Sequence, residues 1–394
     1  MQRSEVVIVD AVRTPIGRRN GGLSTTHSAE LLASPLRALF DRTGIDPGSI
    51  GQVVGGCVDQ VGMQAFNVAR TAWLDAGLPL EVAATTVDAQ CGSSQQAADI
   101  AYALIAAGVI DSAVAGGVEV MSRVPMGANT AKGQGFGSPI PKSYFELYEY
   151  TSQFEGAERI AARWEITRDD ADHFGARSQA LAAQAWAEDR FATQLVEVDA
   201  PDLGDDGKPV GTFHHVARDE GLRDTTVEAL AALKPVMGDG GVHTAGSSSQ
   251  ISDGAGAVLL MSAERAEREG VRPIARIVDT CLVGVDPVLM LTGPIDATRH
   301  LLERNGLGVD DIDLYEINEA FASVVLAWQK ELSIDPARVN PNGGAIALGH
   351  PLGGTGSILL TKAVHELQRT GGRRAIVSMC CGGGLGTGTL IERL

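Results

Sequence analysis

TGIDPGSIGQVV, at residues 43–54, returns later in the chain as NGLGVDDIDLY, at residues 305–315. In each segment a glycine is followed six residues later by an isoleucine and then by an apolar pair, and the glycines, Gly44 and Gly306, are 262 residues apart. A second pair, VVIVD at residues 6–10 and IARIVD at residues 274–279, has aspartates 269 residues apart. This nearly constant spacing indicates that the chain contains two copies of one structural unit.

The repeated unit has the pattern of an α/β fold. Short apolar, β-branched runs alternate with stretches whose apolar residues recur at helical spacing, as they do over residues 97–105. Strands that are apolar on both faces, separated by helices, predict sheets covered by helices on both sides. We therefore expect one half over residues 1–270 and a second half over residues 271–394.

The stretch of about residues 120–245, between the two copies, differs in character because it is richer in charged residues, glycine and proline. Its TRDD sequence at residues 167–170 predicts a capped helix start. We interpret this stretch as an inserted loop domain lying over the functional site. Composition alone fits equally a surface excursion without a function.

Composition disfavours several classes of protein. The chain has 394 residues and a net charge of −17, which would repel nucleic acid. No apolar run approaches the roughly 18 residues of a membrane-spanning helix, so no membrane insertion is expected. Five cysteines, an odd number, do not suit a disulfide framework and favour a reduced, cytoplasmic protein. Neither G-x-x-x-x-G-K-[ST] nor G-x-G-x-x-G occurs, which disfavours kinases, ATPases and Rossmann dehydrogenases.

Cys91 lies in DAQCGSSQQA, residues 88–97, where a predicted strand gives way to a helix. A helix N-terminus favours thiolate, but its dipole contributes only about 0.3–1 kcal/mol, less than one pKa unit. A free thiol has a pKa of about 8.5, so an efficient nucleophile at this position needs a neighbouring base. The alternative is a small cysteine buried at the start of a helix.

His350 is the candidate base. It lies in the glycine-dense segment NPNGGAIALGHPLGGTG, residues 340–356, and imidazole titrates near neutrality. Because His350 follows Cys91 by 259 residues, we expect the two to hold equivalent positions in the two copies and to face each other across a pseudo-twofold axis. The alternative is a histidine that caps a helix.

Two further segments carry candidate groups. In SMCCGGGLG, residues 378–386, a strand ends at two adjacent thiols, of which one is expected to face the site, and the glycines could offer N–H groups to an oxyanion. A zinc site is excluded there because no C-x₂-C pair occurs; a plain glycine turn is the alternative. In EINEAFA, residues 316–322, Asn318 could hold a water or a carbonyl oxygen, or could be an ordinary N-cap.

Taken together, these segments resemble the thiolase family. The resemblance extends over nearly the whole chain, in the family's order, and it is carried by DAVRTP at residues 10–15, CGS at 91–93, NEAFA at 318–322, GGAIALGHPLG at 343–353 and CCGGG at 380–384. The resemblance implies the five-layered αβαβα thiolase fold, made of two pseudo-symmetric halves with an inserted loop domain.

The resemblance also implies roles for individual residues. Cys91 would be the nucleophile that accepts the acyl group, His350 its base, and Cys380 the acid/base at the substrate α-carbon. One oxyanion hole would use His350 and a water held by Asn318, and the other the backbone N–H groups of Cys91 and Gly382. Two weaker matches, Arg223 and Ser249, would bind CoA; ordinary surface residues are the alternative for both. No metal or cofactor is implied, since coenzyme A is a substrate.

The implied function is that of an acetyl-CoA C-acyltransferase, which cleaves 3-oxoacyl-CoA with CoA into acetyl-CoA and a shortened acyl-CoA. The expected partners are acyl-CoA, CoA and further copies of the chain, as a dimer or tetramer. Ser94, Ser247 and residues 153–158 depart from the common family pattern and leave the acyl length open. The Cys91 turn resembles members that act on bulky acyl groups such as steroid side chains.

Three alternatives remain. A biosynthetic thiolase that forms acetoacetyl-CoA would have the same motifs, so only relative rates separate it from a degradative enzyme. A ketoacyl synthase would usually need a second catalytic histidine where this chain has Asn318 and Glu319. A thiolase-like protein that only binds acyl-CoA is disfavoured because Cys91, His350 and Cys380 are all present.

Overall fold

The computed structural model describes residues 4–130, 132–204 and 206–394. The strands are β1 (Val6–Arg13), β2 (Gly17–Arg18), β3 (Gln52–Gly56), β4 (Ala84–Val87), β5 (Ser112–Val120), β6 (Val198–Leu203), β7 (Pro209–Val216), β8 (Ser252–Ser262), β9 (Ala275–Gly284), β10 (Leu314–Ile317), β11 (Arg374–Cys381) and β12 (Leu385–Arg393). The helices are α1 (Ser28–Thr43), α2 (Val68–Asp75), α3 (Ser93–Ala106), α4 (Gln153–Arg163), α5 (Arg168–Ala187), α6 (Val227–Ala231), α7 (Ala263–Glu269), α8 (Gly293–Asn305), α9 (Ala322–Leu332), α10 (Ala345–Leu348) and α11 (Thr355–Thr370).

Each half of the chain builds its own part of the strand order. The first half contributes β4-β3-β5-β8-β1 and the second contributes β10-β11-β12-β9. Within these, β3 is parallel to β4 and β5, and β10 is parallel to β11. Among the described residues, strands of the two parts pair with each other only where Val6–Ile8 of β1 lies beside Ala275–Ile277 of β9, over three residue pairs. These nine strands therefore divide into two sheets at one short seam, while β6 and β7 form a separate two-stranded sheet.

Helices cover both faces of each sheet. Leu259 of β8 packs in one core with α1 and α2, while the next residue, Leu260, packs in another core with α3 and α11. In the second half Val377 of β11 faces this same central core, and Ile376 faces α8 and α9. Neighbouring residues of a strand point to opposite faces, so these contacts define an outer helix layer, a sheet, a central helix layer, a second sheet and a second outer helix layer. The αβαβα prediction is confirmed.

The repeat predicted from the sequence is present in the elements themselves. The equivalent pairs β3 and β10 begin at residues 52 and 314, β5 and β11 at 112 and 374, and α3 and α11 at 93 and 355, each 262 residues apart. On this spacing the residue equivalent to Cys91 is Gly353, not His350. The predicted equivalence of Cys91 and His350 is therefore wrong, because a 3₁₀ turn at Leu352–Gly354 lies between the histidine and its helix.

The segment between β5 and β8, residues 121–251, contains α4, α5, β6, β7 and α6. The capping box predicted at its centre is present: Thr167 Oγ1 accepts the N–H of Asp170 at 3.1 Å, and the Asp170 carboxylate accepts the N–H of Thr167 at 2.8 Å. These two bonds pair backbone donors that would otherwise have no partner at the start of α5. Within the described ranges, no helix is both long and apolar enough to cross a bilayer.

Candidate active site

Cys91 and His350 open into one cavity of roughly 150 Å³ between the central layer and the segment 121–251. Most of its wall is apolar, and the apolar lining residues are Met121, Met126, Phe154, Ile251, Leu291, Ala320, Phe321 and Leu352. Gln153, Ser248, Ser249 and Gln250 add polar atoms. Phe154 meets Phe321 edge to face, with ring centroids 5.0 Å apart. The cavity thus combines two chemically reactive side chains with an apolar chamber.

Cys91 projects from the tight turn between β4 and α3. Gln90 has φ +54° and Gly92 is the N-cap of the helix. A Cβ on Gly92 would lie 2.7 Å from the sulfur of Cys381, so only glycine allows the turn to approach β11 this closely. Burial raises the pKa of Cys91 to about 11, although the backbone N–H groups of Gly382 and of Cys91 itself lower it. At neutral pH this group is a thiol.

His350 is held in the chain segment between α10 and α11. Its N–H donates to Ser252 Oγ at 3.1 Å, and its Nδ1 lies 2.6 Å from Thr355 Oγ1. The preceding Gly349 has φ +115° and lies against Ser252, which a Cβ would strike at 2.3 Å. Burial lowers the pKa of His350 to about 4, so the imidazole is neutral. Since the N-cap of α11 is Gly354, the helix-capping interpretation of this histidine is wrong.

Cys380 lies on β11 and is fully buried. Its side chain is buried against Leu291, Ala320 and Phe321, three residues that line the cavity. Burial raises the pKa of the Cys380 thiol well above its usual range, and the neighbouring Cys91 and Cys381 add to the shift. Cys381 packs instead in the central core, so the two adjacent thiols point to different faces, as the sequence predicted. Burial and Cys91 raise the pKa of both thiols, but only Cys380 packs in the apolar cluster that contains residues of the cavity wall.

Asn318, directly after β10, lies beside the same histidine. Its Nδ2 lies 3.4 Å from His350 Nε2, while its buried Oδ1 has no hydrogen-bond partner among the described residues. The N-cap interpretation is wrong, because α9 begins four residues later with Phe321 as its N-cap. Asn318 therefore has a free acceptor beside the imidazole.

The two residues expected to bind CoA lie at or near the cavity. Ser249 lines it, and its N–H donates to Ala320 O at 2.9 Å. Arg223 is exposed, and its Nη2 is 3.4 Å from Oε1 of Gln250, a lining residue. The exposed guanidinium of Arg223 contacts a lining residue but lies outside the cavity, where it could bind a phosphate group.

Two residues of this region were missed in the sequence. Glu119 is a fully buried carboxylate that accepts N–H bonds from Val58 at 2.9 Å and from Gly353 at 2.8 Å, and so ties the turn after His350 to the first half. A glutamate inside the apolar strand SAVAGGVEV was a signal that could have revealed it. Thr355 gave no such signal, because its contact with the His350 side chain leaves no pattern in the sequence. Among the described residues, no group of three or more His, Cys, Asp or Glu is arranged to hold a metal ion.

Comparison with known proteins agrees with this architecture. The family model described as "Thiolase, N-terminal domain" matches residues 6–264, and "Thiolase, C-terminal domain" matches residues 271–393. Steroid 3-ketoacyl-CoA thiolase FadA6 of Mycobacterium tuberculosis is 47% identical over 99% of this chain and 95% of its own length. Beta-ketoadipyl-CoA thiolase of Pseudomonas aeruginosa is 43% identical over 99% of both chains.

Solved structures show the same likeness in three dimensions. The acetyl-CoA acetyltransferase of Bacillus anthracis has a TM-score of 0.90 and 38% identity, with 100% of both chains covered. Human mitochondrial 3-ketoacyl-CoA thiolase has a TM-score of 0.90 and 33% identity, again over 100% of both chains. The chain therefore belongs to the thiolase family and is an acyltransferase of the acetyl-CoA C-acyltransferase kind, an enzyme of CoA-dependent thiolytic cleavage.

Proposed function

We propose that this thiolase degrades 3-oxoacyl-CoA with Cys91 as nucleophile, His350 as its base and Cys380 as the acid/base at the α-carbon. One observation carries the assignment: Cys91 and His350 open into one cavity, and Cys380 packs in one apolar cluster with Leu291, Ala320 and Phe321, which line that cavity. Two thiols with different surroundings suit a reaction that needs both an acyl acceptor and a proton donor.

The first half-reaction breaks the C2–C3 bond of the substrate. Nε2 of His350 takes the thiol proton of Cys91, and the sulfur attacks the 3-keto carbon. The N–H groups of Cys91 and Gly382, which both point at this sulfur, are suited to hold the oxygen of the carbonyl under attack. The electron pair of the broken bond leaves as the enolate of acetyl-CoA, and Cys380 gives that enolate its proton.

The second half-reaction releases the shortened acyl group. CoA thiol gives its proton to the Cys380 thiolate and attacks the acyl carbon on Cys91. The Cys91 sulfur then leaves and recovers its proton from His350. In the first half-reaction Asn318 and the newly protonated His350, which lie together, would polarise the thioester carbonyl of the departing acetyl-CoA enolate, through a water held by the free Oδ1 of Asn318. CoA acts throughout as a substrate, with Ser249 and Arg223 as its proposed contacts.

The substrate we propose has a bulky, apolar acyl group such as a steroid side chain. The apolar lining from Met121 to Leu352 supports this proposal, as does the likeness to a steroid 3-ketoacyl-CoA thiolase. A second candidate is formation of acetoacetyl-CoA, favoured by the likeness to an acetyl-CoA acetyltransferase. Steady-state rates of thiolysis with 3-oxoacyl-CoA of several lengths, with a steroid side-chain thioester and with 3-oxoadipyl-CoA separate these possibilities. Equal or faster turnover of acetoacetyl-CoA or 3-oxoadipyl-CoA would contradict the bulky-acyl proposal.

Cys91→Ala tests the proposed chemistry, with Cys281→Ala as a matched control. Cys281 is another buried thiol, but it donates to Ala297 O within β9 and α8, on the outer side of the second sheet. We expect loss of thiolysis in Cys91→Ala and near wild-type turnover in Cys281→Ala. Unchanged cleavage of 3-oxoacyl-CoA by Cys91→Ala would overturn the assignment of the nucleophile.

We further propose a homo-oligomer, a dimer or tetramer, in the cytoplasm, and a chain divided at residue 270 into two halves. The outermost strand of the first sheet, β4, leaves one edge for pairing, and exposed aromatic residues such as Phe136 and Phe145 support burial against another copy. The five cysteines are all free thiols, which suits a reducing compartment. Light scattering of the purified chain measures the oligomeric state, and a monomer at micromolar concentration would contradict that part of the proposal.

A further inference from the structure

Thr355, the first residue of α11, stands behind the imidazole of His350. It is 2% exposed, and its Oγ1 lies 2.6 Å from His350 Nδ1 and 2.8 Å from the carbonyl oxygen of Pro351. His350 itself is 3% exposed. The hydroxyl therefore makes two short contacts in a place that solvent barely reaches.

Only one arrangement of protons satisfies both contacts. A hydroxyl has a single proton, and the carbonyl of Pro351 can only accept. If Thr355 donates to Pro351 O, then His350 Nδ1 must carry a proton and donate it to Thr355 Oγ1. The opposite arrangement would leave two acceptor oxygens 2.8 Å apart without a proton between them.

The other ring nitrogen fits the same assignment. With the proton on Nδ1, Nε2 of a neutral imidazole carries a lone pair. The amide Nδ2 of Asn318 approaches Nε2 at 3.4 Å, as a donor should approach a lone pair. Cys91 opens into the same cavity as His350.

We propose that Thr355 is a positioning residue that fixes the tautomer of His350, so that the lone pair of Nε2 is available to take the proton of Cys91. This inference rests on the proposed function. In the step itself the S–H bond of Cys91 breaks, an N–H bond forms at Nε2, and the electron pair stays on sulfur. The Nδ1 proton remains on the bond to Thr355, whose oxygen then faces the positive imidazolium.

Three variants test the idea. Thr355→Val keeps the shape but removes the acceptor, which leaves Nδ1–H buried without a partner and makes the unproductive Nε2–H tautomer competitive. Thr355→Ser restores the hydroxyl. Thr361→Val is the matched control, because Thr361 lies on the same helix, is buried, and donates to Ser357 O at 2.8 Å in the same bond to a carbonyl four residues earlier.

We expect kcat of thiolysis to fall about 10²-fold in Thr355→Val, the lower end of what general-base catalysis contributes, with KM little changed. Thr355→Ser should stay within about threefold of wild type, and Thr361→Val should retain its kcat. A merely structural threonine would affect both valine variants alike.

The tautomer is read without catalysis from ¹⁵N shifts of histidine-labelled enzyme near pH 7.5, with the His350 signals assigned by their absence in His350→Asn. We expect a protonated Nδ1 and a bare Nε2 in the wild type and in Thr355→Ser. A wild-type spectrum with the proton on Nε2 overturns the inference even if Thr355→Val does not fold, and so does an unchanged kcat in folded Thr355→Val. An enzyme with this tautomer but without thiolysis of any 3-oxoacyl-CoA would instead refute the proposed function.

Discussion

Replacing His350 by Asn should change how fast Cys91 reacts with iodoacetamide, and above all how that rate depends on pH. In the wild type the neutral imidazole can take the thiol proton as the sulfur attacks, so the rate needs no free thiolate. The pKa of His350 is about 4, so this route is open throughout the neutral range. In the variant, which has no such base, the rate should be proportional to the fraction of Cys91 that is ionised.

The magnitude follows from the surroundings of Cys91. Burial raises the pKa of this thiol to about 11. His350 is uncharged, so its removal takes no charge away from the sulfur. In His350→Asn the thiolate fraction is then about 10⁻⁴ at pH 7 and about 10⁻¹ at pH 10, so the rate should climb about tenfold per pH unit, or about a thousandfold in all. The wild type should be at least about 10²-fold faster at pH 7, and the two rates should converge toward pH 11.

The assay is the pseudo-first-order loss of Cys91, followed by mass spectrometry of the peptide that contains it. His365→Asn is the control, because His365 is a half-buried histidine whose ring contacts Thr193 Oγ1 and Ala11 O instead of facing the cavity. It should behave as the wild type. A His350→Asn rate equal to that of the wild type at pH 7, or a flat profile between pH 7 and 10, would refute the reasoning.

Four further predictions concern the buried core of the protein. Gly356→Ala should lower stability by about 1–3 kcal/mol, because its Cβ would lie 2.2 Å from the backbone nitrogen of Gln95; thermal unfolding should show no comparable loss for Gly284→Ala, whose Cβ meets open space. Lys362→Met should cost about 3–5 kcal/mol in urea unfolding, because it leaves the carboxylate of Glu316, 2.9 Å from Lys362 Nζ, buried without its partner, and adding Glu316→Gln should restore most of the loss. Burial raises the pKa of Glu316 to about 7, above the ordinary value of 4.5 for a glutamate. In the wild type its contribution to stability should therefore be full below about pH 4.5 and fall as the pH rises to about 7, and a Glu316→Gln variant that kept the same slope would contradict this. Finally, Cys281, whose pKa burial raises to about 12, should resist alkylation in native Cys91→Ala protein and react once the protein is unfolded in urea.

The parts of the fold that the sequence predicted are those with local signals. Gly44 and Gly306 marked the repeat because each ends a helix, α1 and α8, with φ of +70° and +64°, a conformation that glycine adopts readily. The apolar strands predicted two covered faces because neighbouring residues such as Leu259 and Leu260 enter different cores. Both signals belong to short stretches of sequence and can be recognised without knowing the tertiary contacts.

The relation between Cys91 and His350 was predicted only in part. The offset of 259 residues predicts a structural equivalence, but a 3₁₀ turn adds three residues before α11, and sequence spacing cannot distinguish such a turn from the helix that follows. The contact between Thr355 and His350, and the bonds that the N–H groups of Val58 and Gly353 donate to Glu119, depend on side chains far from any periodic pattern in the sequence. The catalytic roles of Cys91, His350, Cys380 and Asn318 stay predictions until the variants are measured.

The contact between the two central helices, α3 and α11, determines what would follow if the enzyme were divided into two fragments. The N–H of Ser357 on α11 donates to Ser94 Oγ on α3 at 2.9 Å, so the first turns of the two central helices are bonded to each other. A cut between β8 and β9 would leave the proposed nucleophile, Cys91, on one fragment and the proposed base and second thiol, His350 and Cys380, on the other. Fragment complementation would then have an all-or-none readout: turnover would appear only in molecules whose two central helices had docked in register, and acyl transfer would itself report the assembly of the pair.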